Sequence, residues 1–302
     1  MSDRVLVSDS ISGFKGFDKN LCCECFQFRI GGTFIHSDVT DANSSGFHFC
    51  ENPIDVLCSY PPATSRFCKV VGGYAARCAD TTGSKVVASK LHVVSELSLE
   101  DFVLSVDALF CPIPRSFVCD RVACVDGSST SMVATQINPS SYAKSGASKS
   151  VSVCTKDASV SLCTGDCNVA LSLSESSVSM CSGFCSTAVS QGFKSAALSV
   201  QEFSSSFSTG DESLSRSSAA FSVAVNTGDS SKSEVCSSES IAIVTGSDSK
   251  AKGVIGSWIV LTERGDDFEI LDVKAVKVDG VRILPNVFYS LVHGEVVEAE
   301  LL

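Results

Sequence analysis

The sequence predicts a mainly β protein in three parts: a small N-terminal α/β domain over residues 1–127, a central two-sheet parallel β-solenoid with 18-residue coils over 128–254, and a C-terminal β-meander cap over 255–302. Three observations carry that prediction. A nine-residue period runs unbroken through the middle of the chain, the side chains between its fixed positions alternate in character from one unit to the next, and the period is absent on both flanks.

Counting in nines from Asn138, the fourth residue of each unit is Ser141, Ser150, Ser159, Asn168 and then Ser at every step to Ser249. The sixth is always Ala or Ser, from Ala143 to Ala251. Gly opens many units (Gly165, Gly183, Gly192, Gly210, Gly228, Gly246), as expected where a tight corner needs a positive φ. Fixed-period self-similarity of this kind is the mark of a solenoid, in which each coil buries itself against its neighbours. Strand alternation places Lys232, Glu234, Lys250 and Lys252 on the face opposite the Ser/Ala positions, and such charges need water or partners. The Ser/Ala face therefore turns inward, and the core is thin. Hydroxyls stacked at about 4.8 Å can bond one another or backbone carbonyls, while larger side chains would not fit.

The outward residues show that one coil is two units. Alternate units present Val151 and Val153, Val169 and Leu171, Thr187 and Val189, Ser205 and Phe207, Val223 and Val225, Ile241 and Ile243. The interleaved units begin apolar, with Val160/Leu162, Val178/Met180 and Ala196/Leu198, and then turn polar at Leu214/Arg216, Lys232/Glu234 and Lys250/Lys252. One sheet is thus an apolar wall along its length, about 29 Å over six rungs. A bare wall of several hundred Å² is unusual on a monomer. Either the flanking segments fold back over it or it packs on another protein, with copies of this chain in a dimer or trimer as the simplest closed arrangements. Val151, Val153, Val169, Leu171, Val189, Phe207, Val223, Val225, Ile241 and Ile243 are its candidate interface residues. The stretch Ser240–Gly253 resembles the repeat of trimeric autotransporter adhesin heads, and that resemblance implies packing of parallel β-rolls as trimers.

The N-terminal region is not repetitive. Asn52 is placed to cap a short helix with Pro53 in its first turn, ending before Pro61–Pro62, and Ser98 with Asp101 opens a second helix carrying Leu99, Phe102, Val103 and Val106 at helical spacing. Apolar runs at 14–17, 26–30, 34–35, 47–49, 67–71 and 86–94 read as strands. At the other end, Trp258 and Val260 replace Ser and Ala at the next inward slots and are expected to plug the tube. The residues beyond read as a β-meander, with Asp279–Gly280 suited to a two-residue hairpin turn.

A net charge of −11 argues against general affinity for nucleic acid or for anionic membrane. The N-terminus lacks the basic-then-apolar order of a signal peptide and no apolar run would span a bilayer, so use in a cytosol is expected. Sixteen cysteines are read chiefly as small apolar residues at corners of a narrow tube. Cys167 and Cys185, one coil apart, stand within bridging range of each other, but a reducing compartment would keep them open. The cluster Cys22, Cys23 and Cys25 lacks the second Cys pair and the nearby His of a zinc site; neither metal nor cofactor is expected.

Three segments, Gly13–Cys22, Phe26–Gly31 and Gly46–Val56 with Tyr60–Pro61, resemble the head of a family of uncharacterised bacteriophage and prophage proteins. There, similar heads precede Gly/Ser/Ala/Thr nonads and a segment like Ala251–Arg264. The resemblance implies viral or mobile-element origin, hence the host-cell cytoplasm or the virion, and the three-part layout; this chain departs from it in being richer in Ser, Cys and Val. Gly46–Pro53 followed by a helix ending in Tyr60 also loosely resembles the central strand–helix step of ADP-ribosyltransferases. That would make Lys15, His48 and Tyr60 candidate nicotinamide-pocket residues, but no convincing glutamate stands on a third strand, and a buried His48 hydrogen-bonded in a small sheet is the favoured reading. Three functions follow: a non-enzymatic structural or interaction protein that self-associates and displays its ends to a host or virion protein, an N-terminal transferase, or a counter-defence binder of a host protein or nucleotide signal.

Overall fold

The computed structural model describes residues 8–36, 46–77, 84–110, 117–119, 122–125 and 133–299. The chain divides into two compact units, Met1–Pro112 and Ile113–Leu302. The boundary expected at 127 lies outside the described residues, and strand Val122–Val125 already pairs in register with Tyr142–Ser145 of the solenoid.

The first unit contains β1 (Ser8–Phe17), β2 (Cys22–Cys23), β3 (Phe26–Gln27), β4 (Thr33–Ile35), β5 (Phe47–Cys50), β6 (Arg66–Arg77), β7 (Lys85–Leu97) and α1 (Leu99–Phe110). Its main sheet is antiparallel, in the order β4-β7-β5-β1-β6. The long β6 and β7 also pair with each other, so the hydrogen bonds close into a ring. Closure pairs β6 and β7 along edges that an open sheet would leave exposed. The interior is aromatic: the Phe28 ring lies 5.1 Å from Phe17, 5.0 Å from Phe34 and 5.6 Å from Phe47. A Cβ at Gly13 or Gly72 would overlap the Phe49 ring, so both glycines are there for space.

Both helix starts form as the sequence predicts. Ile54 N–H donates to Asn52 Oδ1 at 3.1 Å, and the helix is a 3₁₀ segment, Pro53–Cys58. Asp101 N–H donates to Ser98 Oγ at 3.1 Å to start α1, which buries Leu99, Phe102, Val103 and Val106.

In the second unit every parallel pairing from Val133 to Val244 joins residues 18 apart, as in Val151↔Val169 and Val169↔Thr187. The coils build two sheets. A nine-stranded sheet runs from Val133–Gln136 to Trp258–Arg264 and ends on Ile270–Lys277, and an eleven-stranded sheet runs from Phe117–Cys119 to Glu295–Glu298. Small residues at the fourth and sixth positions are buried throughout, and the eighth position is a third inward row, with Ser145, Cys163, Ser190, Ser208 and Val244 among its members. The hydroxyls are satisfied mainly by backbone. Ser177 N–H donates to Ser195 Oγ at 3.1 Å, Ser195 Oγ donates to Ser174 O at 2.9 Å, and Ser161 Oγ donates across the tube to Ser152 O at 2.8 Å.

Four local expectations are corrected. The unit-opening glycines do not take a positive φ; two residues later each unit places a left-handed residue that is not glycine, such as Lys149 (φ 56°), Cys167 (φ 57°) and Phe203 (φ 56°). The glycines are required instead by stacking, because a Cβ on Gly183, Gly210 or Gly246 would overlap the carbonyl of the glycine one coil earlier. Cys154, Cys163 and Cys181 lie inside the tube rather than at its corners, each thiol donating to a carbonyl (Val160, Val169 and Thr187 at 3.2, 3.1 and 3.1 Å).

The plug is also displaced. Trp258 pairs with Ile241 and Val260 with Ile243, so both face outward, while Ile259 and Leu261 are fully buried. The final coil is one residue short, and a one-residue slip in a strand moves every side chain to the other face. Lastly, the two-residue hairpin turn is His293–Gly294 (φ 50° and 71°) between Tyr289–Val292 and Glu295–Glu298. Asp279 instead accepts from the backbone N–H groups of Val281, Arg282 and Ile283, which hold its carboxyl below the ordinary carboxylate range. The cap core joins Val278, Ile283, Tyr289 and Leu291 to Ile259 and Leu261.

Candidate functional site

Two places in the molecule combine exposure with an unusual side-chain arrangement: the outer face of the nine-stranded sheet, and a cavity beside the N-terminal ring.

The first is built by the 18-residue period itself. Register pairing stacks Val151, Val169, Thr187, Ser205, Val223 and Ile241 in one column and Val153, Leu171, Val189, Phe207, Val225 and Ile243 in the next. All are partly or fully exposed; Phe207 keeps 38% and Ile241 37% of its surface open. The wall is longer than the sequence suggests, because Val133 (62% exposed) precedes it and the outward-turned Trp258 (42%) follows it. Eight rungs at about 4.8 Å give about 38 Å. A feature absent from the sequence reading adjoins it. At the corner leading into this sheet, Phe184, Phe203 and Phe221 are exposed; Phe184 meets Phe203 edge to face at 5.4 Å, and Phe203 stacks on Phe221 at 5.1 Å. The signal for it was Phe at successive corners, two of them 18 residues apart.

The outer face of the eleven-stranded sheet is different. Val160, Leu162, Val178, Met180, Ala196 and Leu198 are all buried within the single chain. Its polar half is largely covered too. Glu234 accepts Lys252 at 3.3 Å and lies 3.8 Å from Arg216, and the Lys252 ammonium stands 4.6 Å from the centre of the Phe288 ring. Lys250 is outward by register yet nearly buried, so facing outward and being exposed are separate properties here.

The cavity, of about 450 Å³, is lined by Asp18, Cys22, Cys23, Glu24, Cys25 and Tyr60 among others. β2 and β3 form the hairpin that carries the three cysteines, and Glu24 and Cys25 at its tip take positive φ of 48° and 64°. Lys15 lies on β1 with its side chain buried beside the Phe17 and Phe28 rings. Its ammonium donates to His48 O at 2.8 Å and to Cys23 Sγ at 3.5 Å, and Tyr60 OH lies 2.9 Å from the same sulfur. Burial lowers the Lys15 pKa, opposed by the neighbouring Cys23 sulfur. Burial raises that of Tyr60, with the hydrogen bond to Cys23 adding to it, and burial pushes the Cys50 thiol up to about 12. The His48 imidazole is lowered, first by burial and then by Lys85. Of the three candidate residues from the sequence, Lys15 and Tyr60 meet at Cys23, whereas His48 contributes its backbone carbonyl. Cys23 itself was visible only as one of a cluster with the wrong spacing for metal; among the described residues no group of three His, Cys, Asp or Glu is placed to hold an ion.

Residues 11–105 match a family model. It is a domain of unknown function (DUF7666), and the match covers the ring, the cysteine hairpin and most of α1, stopping short of the solenoid. Just under a third of the chain is therefore similar to that family, and both Lys15–Cys23–Tyr60 and its cavity fall inside the matched segment. No curated protein and no solved structure matches the chain. Among the described residues no helix is long and apolar enough to cross a membrane.

Proposed function

We propose that the protein is a non-enzymatic structural and interaction module that self-associates through the wall of its nine-stranded sheet and displays its terminal segments for partner binding. The observation that carries this reading is the contrast between the two outer faces. One is closed within the chain, while the other leaves an uncharged column pair open over eight rungs, with a stacked Phe corner beside it. A second copy is the favoured occupant because a rung spacing of about 4.8 Å is matched in phase by another solenoid of the same kind. Two such faces, each roughly 38 Å by 13 Å, would together hide on the order of 1,000 Å², the size at which specific interfaces begin. The resemblance to phage and prophage proteins supports action in the host-cell cytoplasm or in the virion.

Sedimentation of the full chain tests the proposal. Wild-type protein is expected to run as a dimer or trimer at micromolar concentration. Phe207→Asp with Val225→Asp places two carboxylates where apolar area is worth about 25 cal/mol per Å², and is expected to give a folded monomer. A wild-type monomer at that concentration would overturn the reading.

A further inference from the structure

Cys23 is where a buried cation, a phenol and an open cavity meet. The Lys15 side chain is 5% exposed, and its ammonium has the Cys23 sulfur at 3.5 Å as its partner besides the His48 carbonyl. The thiolate is the reactive form of cysteine, and a cation held against the sulfur supports that form. Burial disfavours an isolated ammonium on Lys15, and the Cys23 sulfur is the side-chain partner set against it. Tyr60, whose phenol is kept protonated by burial, stands on the other side of the sulfur with an O–H to give. Cys22 and Cys25 line the same cavity, and all three thiols are free. Three thiols around one cavity suit redox chemistry better than group transfer.

We propose that Cys23 is a hydroperoxide-reactive thiol. The Cys23 thiolate attacks the terminal oxygen of R–O–O–H; the S–O bond forms and the O–O bond breaks. The alkoxide that leaves takes the Tyr60 hydroxyl proton, which solvent restores, and departs as ROH. Sulfur loses two electrons and the peroxide gains them, leaving Cys23 as a sulfenic acid. Condensation with the Cys22 or Cys25 thiol then forms an S–S bond with loss of water, and an added thiol reductant returns the starting state. Lys15 is a positioning residue that holds charge on the sulfur, and Tyr60 is the proton donor.

The test uses reduced full-length protein, hydrogen peroxide below one equivalent and excess dimedone, with labelled cysteines located by peptide mass spectrometry. Cys23 is expected to be labelled at least about tenfold faster than Cys167, Cys185 and Cys236, the exposed thiols of the solenoid corners, because an ammonium and a phenol are set against its sulfur. Lys15→Met is expected to slow Cys23 toward both peroxide and iodoacetamide. Tyr60→Phe is expected to slow the peroxide reaction alone, because alkylation expels iodide and needs no proton. That split does not arise from a merely structural loss, and it holds the proposal to account even should Lys15→Met fail to fold. Equal labelling of Cys23 and the corner cysteines, or a folded Tyr60→Phe protein with unchanged peroxide reactivity, overturns it.

Discussion

The ring of the N-terminal unit and the tube of the solenoid are both closed β structures, yet their interiors have opposite designs. The ring is filled by Phe17, Phe28, Phe47 and Phe49 around one buried amine, whereas the tube holds three rows made mainly of Ser, Ala, Cys and Asn, most of whose polar atoms bond the backbone. An aromatic core gains its stability from apolar area and fails when that area is removed. A tube whose walls lie close together has little apolar area to lose and fails when anything is added. Most of its cohesion lies in ladder hydrogen bonds and in serine hydroxyls that complete the corners.

Reciprocal substitutions should expose that difference most strongly. Ser195→Leu forces a branched side chain into a tube with no room for it and is expected to prevent the solenoid from folding, while Thr209→Leu at an exposed corner should shift stability by less than about 0.5 kcal/mol. Ser195→Ala should cost only about 1–3 kcal/mol, the price of leaving the Ser177 N–H without its acceptor. In the ring the order reverses: truncation by Phe17→Ala is expected to cost about 3–5 kcal/mol. Denaturant unfolding of the variants measures all four. Comparable losses for Ser195→Leu and Thr209→Leu would mean that the inward and outward rows are exchanged.

A smaller effect tests the buried amine. The folded-state pKa of Lys15 is lowered by burial, so between that value and the unfolded one of about 10.4 the unfolded chain binds the extra proton. Stability of the ring should therefore rise with pH across that alkaline window, and below it the cost of the buried charge should be constant. Because thiols and phenols titrate in the same range, the quantity to follow is wild type minus Lys15→Met. That difference is expected to move in favour of wild type as pH rises toward about 10.4. A difference independent of pH would place Lys15 in a better-solvated setting than its burial indicates.

The smallest expected effect concerns the corners. Lys149 holds a left-handed backbone at φ 56° without being glycine. Lys149→Gly relieves a steric cost of about 1–2 kcal/mol, partly offset by the greater freedom glycine has when unfolded, and should raise the solenoid's melting midpoint slightly. The opposite sign would show that the corner is held by contacts of the lysine side chain instead.

Much of the solenoid was legible in the residues alone, and the reason is its geometry. Each nonad meets only the units before and after it, so a local rule repeated along the chain fixes coil length, inward rows and the apolar wall. Errors arose where the rule ends or bends. The short last coil turned Trp258 outward and Ile259 inward, and the unit-opening glycines answer to a carbonyl 18 residues earlier rather than to their own φ. The helix starts at Asn52 and Ser98 were readable because caps are made by residues two or three positions apart. Little of the cavity was readable: Lys15 and Tyr60 were joined only by a loose resemblance and Cys23 stood in a separate cluster, because no spacing in the sequence brings the three together.

By itself, then, the sequence determined an 18-residue two-sheet coil with a thin hydroxylic core and an apolar column pair on one face, because those properties repeat with the chain and depend on neighbours one coil away. Tertiary structure alone decided that β6 and β7 close the N-terminal sheet into a ring, that one outer face of the solenoid is buried and the other left open, and that the Lys15 ammonium reaches the Cys23 sulfur. Each of these depends on contacts between segments with no shared period, and their energies come from burial and desolvation, which only the folded arrangement of distant residues sets.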